Sequence, residues 1–274
     1  MTTTPHPDPR LVHMKAMRED KPGISPTNRS LERGIELLRS FRPGSELLGN
    51  AELAERTGLS RSTVSRLTQT LVGGGLLQIE PRSRAFRLAP AVLSFGHAMR
   101  TGSSVLAIAA THMRQAAEAH KLNVGLAAPD RDEMVYLESI RYNRRPSLRS
   151  VVSGQRVPME LTSLGRAYLA SAPEVKRKAL LAHFRQARRA TWRNLGAEIA
   201  LAIESVTACG YCAASWQPEV VAVATPLAFQ GTHYALNVSL STADPVKDVV
   251  AELAPKLLAL RKIILHAFEV AASD

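Results

Sequence analysis

The chain has 274 residues, of which 45% are hydrophobic and 22% are charged, a balance that excludes a fibrous or wholly disordered protein and favours two globular domains. Its formal net charge of +11 favours a polyanionic partner, nucleic acid before an anionic membrane surface. The longest apolar runs, residues 104–111 and 220–229, are shorter than the roughly 18 residues that a membrane-spanning helix needs.

Residues 1–27 form the first segment, and their composition predicts a disordered arm. They contain five prolines and few apolar groups that could offset the entropy lost on ordering. They also lack the apolar stretch of a cleaved signal peptide, so we expect the protein to stay in the cytoplasm. The two cysteines of the chain are too few for a disulfide scaffold and agree with a reducing compartment.

Three amphipathic helices are predicted next, within a domain that covers residues 28–89. Apolar residues recur at helical spacing, for example at Val64, Leu67 and Leu71 of the third helix. The predicted N-terminal capping residues are Ser30, Asn50 and Ser60. The predicted helix ends are at Pro43 with Gly44, at Gly58 in a left-handed conformation, and at the glycine run 73–75.

The outward face of the third helix is polar and cationic. Its members are Arg61, Ser62, Thr63, Ser65, Arg66 and Gln69. Side chains of this kind, near the N-terminus of one helix, recognise base edges in the major groove of DNA. Ser60 and the first free amides should meet a phosphate, and Arg66 should meet a guanine edge or the DNA backbone. The alternative is that this segment is only a capped amphipathic helix.

A short hairpin with a basic tip follows the third helix. Its two strands alternate apolar and polar residues, and the turn 80–84 separates them. Arg82 and Arg84 in this turn are candidates for contacts to the minor groove or its phosphates. The region from Arg56 to Arg87 contains six arginines and one acid, which makes it a local basic patch. Three helices and such a hairpin predict a winged helix-turn-helix.

Residues 90–104 are predicted to be a linker with a helix over 91–97, and residues 105–271 a second domain. Its predicted strands span 123–127, 134–140, 148–152, 220–227 and 233–240. Its predicted helices span 105–120, 161–171, 174–184, 193–209 and 245–270. This mixed order indicates an α+β domain around an antiparallel sheet.

Several segments together resemble the IclR (isocitrate lyase regulator) family of bacterial transcription factors. In the first domain they are residues 30–35, 52–54, 58–67, 71–77 and 87–88. In the second domain they are residues 158–170, which are similar to the Leu-Gly-Lys-Ala segment of the family, and residues 210–211 with 218–226, which are similar to its second signature. The resemblance covers nearly everything from residue 29 to 270.

The resemblance implies a ligand-responsive transcriptional regulator with a GAF/PAS-like effector-binding domain. Such a domain binds a small metabolite, often an organic or aromatic acid from a catabolic pathway, and needs no cofactor. Because one recognition helix touches only a few base pairs, we expect a homodimer or a dimer of dimers on a palindromic operator of double-stranded DNA. By family position, Leu148 and Val151 would line the apolar part of the pocket, with Ala222 below; as single apolar residues, all three could equally be plain core.

The residues themselves also indicate where an acid could bind. Thr162, Ser163, Leu164 and Gly165 open a helix, and hydroxyl and amide groups there suit a carboxylate. Asn237, Ser239 and Ser241 alternate on one face of a strand and could supply further hydrogen bonds. The chain departs from the family after Gly210 and Tyr211, where residues 212–217 contain none of the usual acids. A more apolar cavity with Trp216 near its rim would favour a larger or aromatic effector.

Other classes of function find less support. Cys209 and Cys212 spell C-x-x-C, but no second such pair or close pair of histidines completes a metal site. No nucleophile elbow, phosphate loop or dinucleotide motif occurs, so we expect no catalysis. The alternative is an enzyme that acts on a small metabolite and has an accessory N-terminal interaction domain. A convergent set of titratable residues would reveal such an enzyme. An RNA- or membrane-associated adaptor would need aromatic or amphipathic features that are missing here.

Overall fold

The computed structural model describes residues 28–142, 152–217 and 219–273. The predicted arm and most of the predicted strand 148–152 lie outside these residues. The chain divides into two units, the first ending at Met99 and the second starting at Arg100.

The first unit is the winged helix-turn-helix that the sequence predicts. Its helices are α1 (Arg29–Arg39), α2 (Asn50–Thr57) and α3 (Arg61–Gly73), and its antiparallel hairpin consists of β1 (Leu77–Glu80) and β2 (Ala85–Leu88). The apolar faces of all five elements meet in one core, which contains Leu37, Phe41, Leu48, Leu53, Val64, Leu77 and Phe86.

Two of the three predicted caps are wrong by one or two residues. Asn28, not Ser30, caps α1, because its side-chain oxygen accepts from the amides of Ser30 and Leu31. The N-cap of α2 is Gly49, not Asn50, and Gly49 N donates to Glu52 Oε2 at 2.8 Å. Glutamate three residues after the cap satisfies the orphan amide in place of a polar cap side chain.

The caps around α3 are confirmed. Ser60 Oγ accepts from Thr63 N at 3.3 Å, and Gly58 has a φ of 67° at the end of α2. The left-handed residue turns the chain sharply between the two helices, which sets the angle at which α3 leaves the core.

The second unit is an α+β domain, as predicted. After α4 (Ala91–Thr101), in which the boundary between the units falls, its helices are α5 (Ser104–His120), α6 (Ser163–Ser171), α7 (Glu174–Ala187), α8 (Trp192–Cys209) and α9 (Val246–Ser273). Its strands are β3 (Asn123–Asp130), β4 (Glu133–Ile140), β5 (Arg156–Pro158), β6 (Cys212–Ala214), β7 (Val220–Phe229) and β8 (Thr232–Ser241).

The six strands form one sheet in the order β5-β4-β3-β8-β7-β6, with every neighbouring pair antiparallel. The edge strands β5 and β6 are absent from the sequence prediction. Each has three residues, which is too short for an alternating pattern to show. They extend the sheet on both sides of the long central strands.

The two faces of the sheet carry separate cores. Residues such as Leu126, Val223 and Val238 point to one face and pack with α5 and α9. Residues such as Ala127, Met134 and Ala224 point to the other face and pack with α6 and its neighbour α8. Small strand residues such as Ala224 and Ala235 lie on this second face, where α6 packs against β7 and β8.

Helices in the part of the chain that the structure describes are either too short or too polar to cross a bilayer.

Candidate functional site

The predicted DNA-reading face of α3 lies on the surface. Arg61, Ser62, Arg66 and Gln69 are exposed, and Thr63 and Ser65 are half-buried at its edge. Val64, by contrast, is fully buried in the core. The face is therefore free to meet a ligand rather than packed against the interior of the protein.

The start of α3 concentrates hydroxyl groups. Ser60 Oγ lies 3.1 Å from Ser62 Oγ and 2.9 Å from Thr63 Oγ1. No acid occupies the first turn, so nothing there opposes an anion. The positive end of the helix dipole, the free amides and the nearby hydroxyls together suit a phosphate group.

The structure separates the six arginines of the basic patch into two groups. Arg56 donates to Ser40 O at 3.2 Å and to Ser45 Oγ at 3.0 Å, and Arg87 lies 3.6 Å from Glu80 in an ion pair. These two guanidinium groups have partners within the unit, a role that the sequence pattern did not reveal. Four remain as candidates for contact with a polyanion: Arg61, Arg66, Arg82 and Arg84.

The hairpin tip holds the other two candidates. Arg82 and Arg84 are both exposed in the turn between β1 and β2. Arg84 has a φ of 51°, a left-handed conformation that redirects the chain into β2. The tip thus presents two cationic side chains to solvent.

In the second unit, the predicted helix start is confirmed, but its residues are buried. Thr162 caps α6: its Oγ1 accepts from Gly165 N at 3.2 Å and donates to Pro158 O at 2.8 Å. Thr162, Ser163 and Leu164 are all less than 5% exposed. The Thr162 hydroxyl is therefore committed to the cap, whereas the amides of Ser163 and Leu164 have no hydrogen bond within the described residues.

The floor beneath this helix start is made of small and polar side chains. A first row of directly paired residues crosses β6, β7, β8 and β3 and consists of Cys212, Ala224, Asn237 and Gly125. A second row lies two residues away on each strand and consists of Ala214, Ala222, Ser239 and Asn123. Cys212 Sγ donates to Ser163 O at 3.5 Å, which places the first turn of α6 above the β6 end of the first row.

Two amide side chains in these rows have oxygens without partners. The Oδ1 atoms of Asn123 and Asn237 are both buried and accept no hydrogen bond within the described residues. Because a buried acceptor without a partner costs free energy, such atoms are candidates for contact with a ligand. Sequence spacing singled out Asn237 but not Asn123, whose register opposite Ser239 appears only in the folded sheet.

The remaining predicted effector residues are spread more widely. Ala222 is 9% exposed in the second row, Ser239 is half-buried beside it, and Ser241 is exposed at the end of β8. Leu148 and Val151 lie outside the described residues. Trp216, the predicted rim residue, follows β6 and is 39% exposed.

The C-x-x-C pair does not form a disulfide. Cys209 is exposed at the end of α8, and Cys212 is buried in β6, where burial raises the pKa of its thiol to about 12. The thiol therefore stays protonated. No group of side chains able to hold a metal ion occurs among the residues that the structure covers.

Models of two protein families match this chain. The IclR helix-turn-helix domain matches residues 30–81, and the C-terminal domain of the bacterial transcriptional regulator IclR matches residues 97–264. The chain belongs to the IclR family. Both matched families describe regulators, so the alternative of an enzyme finds no support.

Curated relatives are similar over part of their length. The HTH-type transcriptional regulator TsaQ1/TsaQ2 of Comamonas testosteroni is 38% identical over 167 residues, which are 60% of this chain and 59% of that protein. The DNA-binding transcriptional repressor YiaJ of Escherichia coli is 26% identical over 57% of this chain and 54% of its own. The chain therefore spans little more than half of each relative.

Solved IclR structures match more of the chain. An IclR family transcriptional regulator from Brucella abortus has a TM-score of 0.81 and 31% identity, over 90% of this chain and 96% of that one. An IclR homolog from Microbacterium hydrocarbonoxydans, solved in complex with 4-hydroxybenzoate, has a TM-score of 0.61 and 19% identity, over 86% and 99%. The second similarity concerns the fold alone.

Proposed function

We propose that this IclR family member is a ligand-responsive transcriptional regulator that binds double-stranded DNA through α3 and the β1–β2 hairpin. The exposed, acid-free face of α3 supports this role most directly. A helix with short hydroxyl side chains and a guanidinium group fits the donor and acceptor pattern of the major groove. Since its target is chromosomal DNA, we place its action in the cytoplasm.

The decisive test is selection of duplexes from a random-sequence library, followed by affinity measurements across a salt series. We expect a selected sequence whose log association constant falls linearly with log salt concentration, because arginines that neutralise phosphates release counterions. Failure to enrich any duplex, or binding that salt leaves unchanged, would contradict the proposal.

We infer that the protein acts as a homodimer, alone or as a dimer of dimers, on a palindromic operator. One α3 helix contacts too few base pairs for adequate specificity. A candidate pairing surface is α4, which has no buried residue. Its large apolar side chains Leu93, Phe95 and Met99 are 78%, 61% and 49% exposed. Exposed apolar side chains at this density on one short helix are typical of an association surface.

Replacing both Leu93 and Phe95 by glutamate should convert the dimer to a monomer, because paired interfaces would bury the introduced charges. Light scattering after gel filtration measures the mass directly. Val175→Glu, on an equally exposed apolar residue of α7, is the matched control and should leave the mass unchanged. A double variant that stays dimeric would exclude α4 as the pairing surface.

We further propose that the α6 face of the sheet binds the effector, a small organic or aromatic acid whose breakdown the controlled operon encodes. The unpartnered amides of Ser163 and Leu164 at the positive end of α6 suit a carboxylate. The absence of acids in residues 212–217 suits an aromatic ring, and the 4-hydroxybenzoate complex of the Microbacterium homolog agrees with such a ligand.

One ion pair could carry the effect of the ligand from the sheet to α4, the helix in which the boundary between the two units falls. Arg100, in the last turn of α4, donates to Glu138 Oε2 at 2.8 Å and to Leu137 O of β4. Burial alone would raise the pKa of Glu138. Hydrogen bonds from Arg100, Ser139 N and Ser153 together outweigh this effect and hold the pKa below its usual value, so the carboxylate stays charged. We propose that ligand binding beside β4 alters α4 through this ion pair, since an effector acts only by favouring one of two arrangements.

A further inference from the structure

An unusual polar group in the second unit is the side chain of Asn237. It is only 5% exposed, and its Oδ1 accepts no hydrogen bond within the described residues. The sheet around it is fully paired, and the neighbouring side chains of the same row are Ala224 and Gly125, which offer no donor. The oxygen is thus a buried hydrogen-bond acceptor that a ligand with a donor group could satisfy.

Tyr136 on β4 lies beside this amide. Burial has the largest effect on the pKa of its phenol and raises it to about 12, while a side-chain interaction with Asn237 has a smaller effect and lowers it. The phenol therefore stays protonated. The Oδ1 atom of Asn237 is the amide atom that has no partner among the described residues.

Gly125 on β3 is what allows the two side chains to meet. A Cβ at this position would lie 2.4 Å from Tyr136 Cε1 and 2.5 Å from Asn237 Oδ1. Because both distances are far below van der Waals contact, any other residue would displace the pair. Gly125, Tyr136 and Asn237, from three adjacent strands, thus form one cluster.

The start of α6 offers the opposite kind of group on the same face. The amides of Ser163 and Leu164 are donors without partners, and Ser163 O contacts Cys212. Cys212 and Asn237 are two strands apart in the same row, a separation of about 9.5 Å. Ala224 lies between them, so the sheet contributes only a methyl group at this position.

We propose that Asn237, which lies beside Tyr136 above Gly125, selects effectors that carry a hydroxyl group in addition to an acid group. The carboxylate would accept from the α6 amides, and the hydroxyl at the far end of a ring or short chain would donate to Asn237 Oδ1. An acid without the hydroxyl leaves this oxygen buried and unpaired, and a second carboxylate would oppose it. This inference rests on the proposed effector role of the α6 face.

The test compares matched pairs of acids by titration calorimetry on the full chain. The pairs are 4-hydroxybenzoate with benzoate, 4-hydroxyphenylacetate with phenylacetate, and 4-hydroxybutyrate with butyrate. We expect the hydroxylated member of at least one pair to bind about 10- to 100-fold more tightly, because a site built to bond a hydroxyl rejects an analogue that lacks it. Asn237→Ala should reduce that preference to less than about threefold.

Two further variants separate selection from damage to the fold. Tyr136→Phe keeps the ring but removes the phenol oxygen, so it should lower the preference with little loss of affinity for the acid lacking the hydroxyl. Asn194→Ala, at an exposed asparagine of α8, should change neither quantity. The melting temperature of each unliganded variant establishes that it is folded.

The outcomes are distinct from those that test the proposed function. Equal or tighter binding of the acids without hydroxyl, an unchanged preference in a folded Asn237→Ala variant, or binding of none of the hydroxylated acids would overturn the inference. Each of these leaves DNA binding intact. Conversely, selective binding of a hydroxy acid with no selected duplex would refute the regulator proposal and support the role of Asn237.

Discussion

Arg66→Ala should weaken binding to the selected operator by about 10- to 100-fold and flatten the preference for one base pair within it. Arg66 is exposed on the acid-free face of α3, one turn after the hydroxyl cluster that suits a phosphate. A guanidinium group that bonds a guanine edge contributes about 1–3 kcal/mol of discrimination. Fluorescence anisotropy with the operator and with single-base variants measures both effects.

Arg114→Ala is the matched control for this prediction. Arg114 is exposed on α5 in the second unit, and its removal changes the net charge by the same amount. It should leave the base preference unchanged. If Arg66→Ala lowers affinity equally for every sequence, Arg66 contacts phosphates only; if it has no effect, α3 is not the recognition helix.

Gly165→Ala should destabilise the second unit by about 3–5 kcal/mol, in the range of the largest single-residue effects. A Cβ at this position would lie 2.0 Å from Met159 O and 2.3 Å from Met159 Cα. These are backbone atoms of the segment that leads into α6, so no side-chain rotation can relieve the clash. Either α6 or the segment before it must move, and the buried start of the helix would be lost.

Chemical denaturation monitored by circular dichroism measures this loss. Gly34→Ala is the control, since Gly34 also lies within a helix but a Cβ there meets nothing within 4 Å. That substitution should stabilise the first unit by about 0.5–1 kcal/mol through helix propensity. A Gly165→Ala variant as stable as the wild type would show that α6 does not approach Met159 this closely.

Local patterns were enough to predict the first unit. Each helix carries a periodic apolar face and a recognisable end, and all the contacts of its core join residues between Leu37 and Phe86. What the sequence could not reveal there are the partners of Arg56. Its hydrogen bonds to Ser40 and Ser45 depend on how α2 packs, so its charge looked as available as that of Arg66.

The proposed effector site was only partly predictable, because it depends on register between distant strands. The cap at Thr162 and the alternation through Asn237 and Ser239 are local and were predicted. The meeting of Tyr136, Gly125 and Asn237 requires that β3 pair with β8 and β4 in one particular register. The two edge strands were missed for a related reason: tertiary pairing alone makes such short segments extended.

The central position of β3, between β4 and β8, also has a consequence for synthesis of the protein. On the ribosome, the winged helix has every residue of its core once the chain has passed β2, whereas β3 must wait for β8, the last strand of its sheet to be synthesised. The nascent second unit therefore keeps an unpaired strand edge until β8 has emerged, and a chain that stops before β8 would be prone to aggregation.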